Sequence, residues 1–136
     1  MGRPSGWAKV AAEEFAKRIG GFSEIELVHV KEGMKQEKEL LEKSVGWHRV
    51  ALDEKGKAAS TADWKKEFEQ WERTGKAKTA WILGGADGHG EGLRVQCDVR
   101  RSLGPQTLSH DLALVNLLEQ IYRVESWRAG HPYHRP

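Results

Sequence analysis

The chain reads as an α/β domain built on a mainly parallel sheet flanked by helices. Two observations carry this. Short apolar runs that read as strands alternate with segments of helical period. One of those runs, residues 78–83, passes straight into Gly84-Gly85, and another, 99–103, into the Gly104-Pro105 loop. With 136 residues, a single domain over 1–136 is expected, large enough for a core and too small for two.

The elements follow in order. Trp7, Val10, Ala11, Phe15 and Ile19 recur near helical period, and Gly20-Gly21 stops that helix. Residues 24–30, with Ile25 and Leu27 alternating and Val28 next, read as a strand. Residues 31–44 are charged, with Leu40 and Leu41 near the end, and read as an exposed helix before Gly46. A short buried strand over 47–52 leads into a loop over 53–59 built on Gly56. Ser60 or Thr61 N-caps the next helix, and Asp63 and Glu67 early in it suit the helix dipole. That helix runs to Arg73 and ends at Gly75; Trp64 and Trp71 share one of its faces and belong in the core. After the strand at 78–83, the stretch 86–98 is Gly-rich, then polar, with room for a short helix. The strand at 99–103 precedes a final helix from Ser109 or His110 to about Val124. No internal repeat or low-complexity linker interrupts this order.

Composition narrows the function classes. No apolar run approaches the roughly 18 residues of a membrane span, and the start lacks the apolar stretch of a signal peptide. The single Cys97 leaves no internal disulfide framework and fits a reducing cytosol, so a cytoplasmic protein is expected. A net charge of +2 does not announce nucleic-acid binding. Basic clusters stand at Arg100-Arg101 and at Arg128, His131, His134 and Arg135, and on composition alone such clusters are solvated faces.

Several motifs carry possible chemistry. Leu83-Gly84-Gly85-Ala86-Asp87-Gly88 follows a strand, and glycines there let backbone approach a ligand, although Gly-Gly after a strand is ordinarily a turn. It lacks the spacing of a dinucleotide fingerprint, and no Walker lysine motif exists. The loop Ser102-Leu103-Gly104-Pro105-Gln106-Thr107-Leu108-Ser109-His110 offers hydroxyls, an amide and free backbone groups for an adenine edge or a ribose; it also reads as an ordinary strand-to-helix loop. Glu119 and Arg123, four apart on the last helix, form a surface pair on spacing alone. His131 and His134 have a spacing that suits a metal, but a site needs further ligands and Cys97 lies elsewhere, so no metal is expected. Chain ends usually fray in small polar residues. This one carries two imidazoles, a phenol and a guanidinium within 131–135 and is expected to be tied down.

The segment SLGPQTLSHDLALVNLLEQIYRVESWRAGHPYHRP, together with TAWILGG at 79–85 and VALDEKGK at 50–57, closely resembles the SPOUT methyltransferases of the RlmH type, which modify a pseudouridine in large-subunit ribosomal RNA. The resemblance covers nearly the whole chain. It implies a SPOUT-type sheet with a C-terminal trefoil knot. Three loops would cradle S-adenosylmethionine: the one after Leu52, the one at Gly85, and the one formed by Gly104, Pro105, Gln106, Thr107, Leu108 and Ser109. It implies catalytic roles for Tyr133, His134 and Arg135 in ordering the target nucleotide, and substrate contacts from His110, Glu119, Arg123, Arg128 and His131, with Arg128 and Arg135 on phosphates. It also implies a homodimer in which each pocket is completed by the partner; Val115, Leu118, Ile121 and Tyr122 are the apolar stripe expected at that interface.

Four departures stand out. Family members normally begin with a short apolar strand before the glycine that is Gly2 here, so the family's first strand is expected to be missing. Leu114 stands where the family often has arginine, Ser109 where it has proline, and Gly104 where it has a second loop serine. The expected function is S-adenosylmethionine-dependent methylation of N3 of a pseudouridine in ribosomal RNA, within an assembled ribosome, with no membrane partner. The alternatives are a non-catalytic dimeric RNA-binding or ribosome-associated protein, and a SPOUT enzyme acting on transfer RNA.

Overall fold

Eight elements form around one long C-terminal helix. They are α1 (Gly6–Ile19), α2 (Gln36–Lys43), β1 (His48–Ala58), α3 (Thr61–Arg73), β2 (Thr79–Leu83), α4 (Glu91–Gln96), β3 (Val99–Ser102) and α5 (His110–Arg128). The computed structural model describes residues 4–31, 33–84 and 91–135. The strands pair in the order β2-β1-β3, both ladders parallel, as βαβ crossovers demand. His48 to Leu52 pair with Thr79 to Leu83, and Val50 to Leu52 with Val99 to Arg101.

Helix boundaries follow side-chain chemistry. Ser60 caps α3 through a reciprocal box: its hydroxyl accepts from the Asp63 N–H at 3.1 Å, and the Asp63 carboxylate accepts from the Ser60 N–H at 3.2 Å. Those bonds hold the Asp63 carboxyl below its ordinary range. Ser109 caps α5 by accepting from the Leu112 N–H at 3.3 Å. α1 is tied to the start of α5 by Ser5, whose hydroxyl donates to Asp111 at 2.5 Å.

The core is what these helices cover. Ala12 and Ile19 of α1, Trp64 of α3, Leu83 of β2, and Leu114, Leu117, Leu118, Tyr122 and Val124 of α5 form one buried cluster. α5 packs on both α1 and α3, so it is buried over a wide arc. Trp64, Phe68 and Trp71 of α3 stack with Trp81 of β2, with ring centroids 5.1–6.4 Å apart. Three of the six tryptophans, Trp64, Trp71 and Trp81, thereby belong to the core or pack against it, while Trp7 and Trp47 are exposed.

Four expectations are corrected. Strand β1 runs on through the segment read as a loop, because residues 57–58 resume pairing with Arg101 and Ser102 after a register shift. Gly56 permits this: a Cβ there would lie 2.8 Å from the Arg101 nitrogen. α5 continues to Arg128, a full turn beyond the expected end. The apolar stripe expected at a dimer interface is only half available, since Leu118 and Tyr122 are buried within the chain's own core. Finally, residues 24–31 form no strand. Among the described residues they join no ladder, and β2 is an outer strand of the sheet. Between the two lies a groove of about 790 Å³ lined by Leu27, Val30, Leu40, Leu83, Leu114 and Leu117 among others. The alternation at 24–30 is real, but strand pairing needs a neighbour, and none lies beside it among the described residues.

This groove has the form of a strand site. Placing about seven apolar-rich residues ahead of Gly2, close to the usual strand length, is expected to raise the melting temperature by several degrees for each kcal/mol gained. An unchanged or lower melting temperature in a calorimetric scan would show that the open sheet edge is already satisfied.

Candidate functional site

The parallel register sets the first half of the site. Leu52 is level with Leu83 and with Arg101, so β2 and β3 end at the same edge of the sheet, beside the middle of β1. In parallel α/β sheets ligands bind beyond the carboxyl ends of the strands. Leu52 and Gly84 sit there half-buried. Gly85 lies outside the described residues.

The loop from Gly104 to Ser109 completes that edge. Gly104 has φ +144°, a conformation that side chains disfavour, and this accounts for glycine where the family has serine. The Ser102 hydroxyl accepts from the Gly104 N–H at 3.1 Å and donates to its carbonyl at 2.7 Å, which fixes the turn. The Thr107 hydroxyl donates to Glu54 at 3.0 Å and so ties this loop to β1. Pro105, Gln106 and Thr107 are exposed and Leu108 is half-buried. Ser109 replaces proline with a side chain that caps α5. His110 opens α5 with its Nε2 buried and without a hydrogen-bond partner. Leu114 is buried in the core, so its position carries no charge toward a substrate. Asp53, next to Leu52, is paired with Arg94 at 3.1 Å and is buried.

The second half is the C-terminal tail folded back on α5. Arg123 binds Glu119 one turn earlier, with Nε 3.0 Å from Oε1 and Nη2 3.2 Å from Oε2. This is the pair expected from spacing, and it does more than span a turn. Glu119 also accepts from Gln120 at 3.0 Å and from the Tyr133 hydroxyl at 3.4 Å. The Tyr133 ring lies over the Arg123 guanidinium at 4.8 Å and edge-on to Tyr122 at 4.5 Å. Arg123 Nη1 reaches His134 Nδ1 at 3.3 Å, and the His134 ring stacks on Trp127 at 4.3 Å. The tail is therefore tied down, as its composition predicts.

Electrostatics sort the members of this cluster. Its bonds to Glu119 keep Arg123 charged, holding its pKa above the ordinary value. Burial and the Glu119 carboxylate push the Tyr133 phenol up, so it keeps its proton and acts as a donor. Arg128 pairs with Glu125 at 2.8 Å and with Glu72, so its charge is already engaged. Burial raises the Glu125 carboxyl above the usual range. Of the two clusters of basic residues, Arg101 is bound to Glu67 at 2.8 Å, while Arg100 is exposed. Arg135 is exposed and makes no ion pair among the described residues. His131 is exposed and lies edge-on to Phe22 at 6.0 Å, so the two tail histidines face different rings rather than one centre.

The structure thus groups the site residues into two sets. Leu52, Gly104 to Ser109 and His110 gather at the sheet edge. Glu119, Arg123, Tyr133 and His134 gather along α5, with Arg135 beyond them. The sequence reading missed Trp127, the platform for His134. Its position one turn after Arg123 on the same helix is the available signal.

Comparison with known proteins bears on this arrangement. A family model described as "Predicted SPOUT methyltransferase" matches residues 2–134. A protein of Thermus thermophilus named Ribosomal RNA large subunit methyltransferase H is 42% identical over 137 residues, covering 100% of this chain and 95% of the relative. Proteins of the same name from Alkalilimnicola ehrlichii and Bordetella pertussis are 36% and 32% identical over 146 residues, each covering 98% of this chain and 94% and 93% of the relative. A match over almost every residue, on a parallel α/β sheet, means that this chain belongs to the SPOUT methyltransferase family.

Proposed function

We propose that this chain, as one domain over 1–136, methylates N3 of a pseudouridine in large-subunit ribosomal RNA with S-adenosylmethionine as methyl donor, in the cytoplasm and as a homodimer. The observation that carries the reading is the end-to-end similarity to proteins named for ribosomal RNA methylation, combined with loops that meet at one sheet edge. The non-catalytic reading has no observation of its own in its favour, because Ser109, Gly104 and Leu114 each have a structural role.

The residues present fit the methyl donor. Among the described residues the N–H groups of Gln106, Thr107 and Leu108 have no hydrogen-bond partner, and the buried His110 Nε2 has none either. These groups, with Leu52 and Gly84, suit an adenosine edge in the trefoil-knotted pocket that the family implies. Bound there, the donor supplies an electrophilic sulfonium methyl group. The chain's own task is alignment of N3 and exclusion of water. The tail orders the nucleotide: Tyr133 and His134 face the base, and Arg135 takes a phosphate. With the low net charge of +2, affinity for free RNA is modest, and a preformed ribosomal surface suits it better.

The dimer follows from distance. Arg123 lies about 20 Å along α5 from His110, at about 1.5 Å per residue. A tail folded at Arg123 therefore sits remote from its own chain's loops, and a second copy brings one chain's tail to the other's pocket. The exposed apolar surface at the start of α1 and α5 gives the contact: Trp7, Val10 and Leu112 are 54%, 69% and 49% exposed.

Three outcomes are expected. Calorimetric titration with S-adenosylmethionine gives saturable heat, which Gly104→Val weakens by straining the loop. No heat and no thermal shift at about 1 mM ligand, corresponding to about −4 kcal/mol, would overturn donor binding. Light scattering gives about twice the 15.3 kDa chain mass, and Trp7→Glu returns it to one chain; a monomer at micromolar wild-type protein refutes the dimer. Deleting residues 131–136 leaves a folded protein whose methyl transfer to unmodified ribosomes falls by about 10²-fold or more. Wild-type turnover in that variant removes the tail from the reaction, and loss of its melting transition assigns the tail to the fold.

A further inference from the structure

The tail histidine is held in one chemical form by its neighbours. A guanidinium only donates hydrogen bonds. With Arg123 Nη1 at 3.3 Å, the His134 Nδ1 lone pair accepts, and the ring proton sits on Nε2. Arg123 cannot swing away cheaply: Glu119 grips it through Nε and Nη2, and the Tyr133 ring covers it. Trp127 fixes the plane of the imidazole by stacking at 4.3 Å with an interplanar angle of 29°. Lys65, bound to Glu69 at 2.6 Å, also lies against the Trp127 ring, 5.1 Å from its centroid. His134 is half-buried, while Nε2 is not among the buried polar atoms lacking a partner. Its N–H is therefore presented outward, in a fixed direction.

We propose that His134 is a fixed hydrogen-bond donor rather than the acceptor of the N3 proton, and that it addresses a carbonyl oxygen of the target pyrimidine next to the methylated nitrogen. Arg123 and Trp127 are its positioning residues. This rests on the function proposed above. A base needs a free lone pair, and the one on Nδ1 is occupied. A donor has a clear use. When the N3–H bond breaks and its proton passes to water, the electron pair left on N3 delocalises onto the flanking carbonyl oxygens. The N3–methyl bond then forms as the C–S bond of the sulfonium breaks. An N–H aimed in advance at one of those oxygens stabilises the anionic ring at no reorganisation cost. The Tyr133 hydroxyl is engaged elsewhere, since it donates to Glu119 at 3.4 Å. His131, on Phe22, lies outside this network.

Two independent readouts test this. Nitrogen-detected NMR of the imidazoles in the protein alone is expected to show His134 wholly as the Nε2–H tautomer, and Arg123→Met is expected to admit the Nδ1–H form. In methyl transfer to unmodified ribosomes, His134→Ala is expected to lower kcat by about 10²–10³-fold, the cost of one such donor. His134→Gln, which offers an amide N–H but cannot take up a proton, is expected to recover most of that loss. A wild-type Nδ1–H tautomer, or a folded His134→Gln variant as inactive as His134→Ala, overturns the proposal. Absence of methyl transfer by the wild-type protein would instead defeat the proposed function, while the tautomer measurement still decides the state of the ring.

Discussion

Everything in this fold depends on the parallel pairing of β1 with both neighbours. β1 is the only strand with partners on each edge in the order β2-β1-β3, and its residues Val50 and Ala51 are fully buried. Because both ladders are parallel, β2 and β3 end on one edge beside Leu52, and the loop after Ser102 starts there. Gly56 then lets β1 pass close against the backbone of Arg100 and Arg101, so that residues 57–58 resume pairing with β3. A side chain at that position pushes β3 away, and with it the Gly104–Ser109 loop that begins two residues later.

α5 carries the second constraint. It is both the core's main apolar surface and the frame for a polar cluster, and these two duties occupy alternate faces. Leu117, Leu118 and Val124 point into the core, while Glu119 and Arg123 hold Tyr133 and His134 outside it. The polar cluster is satisfied internally: Glu119 accepts from three side chains, and Arg123 has carboxylate, imidazole and aromatic neighbours. Partly buried polar networks are stable only when their members find partners. That satisfaction, with the Tyr133 ring packed against the edge of the core, keeps Tyr133 and His134 in place.

The sequence made much of this legible, for identifiable reasons. Helices α1, α3 and α5 announced themselves through apolar period, Ser60 and Ser109 caps, and glycine stops. The strands at β2 and β3 were bounded by Gly and polar residues. Two strand readings failed on opposite sides of one principle. Residues 24–30 alternate like a strand but lack a neighbour, whereas residues 53–58 read as a loop yet pair with β3 because Gly56 allows the approach. Alternation reports a preference of the chain, and pairing is decided by what lies beside it. At the site, the Glu119–Arg123 pair was visible from spacing. Its link to the tail was not, because a contact between residues 119 and 133 depends on how the chain turns after Gly130, whose φ is +79°. Arg128 and Arg101 looked like free basic charges in sequence, and the structure spends both on Glu72, Glu125 and Glu67.

That redistribution of charge bears on how RNA is met. With Arg101, Arg123 and Arg128 all bound to carboxylates, Arg135 is left as the tail's free guanidinium among the described residues. An interface driven by phosphate neutralisation needs many such cations, since each contact contributes one increment of counterion release. This surface has few at the tail, so recognition there relies on geometry: stacked rings, a clamped guanidinium and donors of fixed direction. Such a site binds weakly to flexible RNA and well to a nucleotide already presented in a defined pose. The same reasoning explains why the protein ties up its arginines internally, because a tail held loosely by solvent contacts loses the directionality on which a geometric site depends.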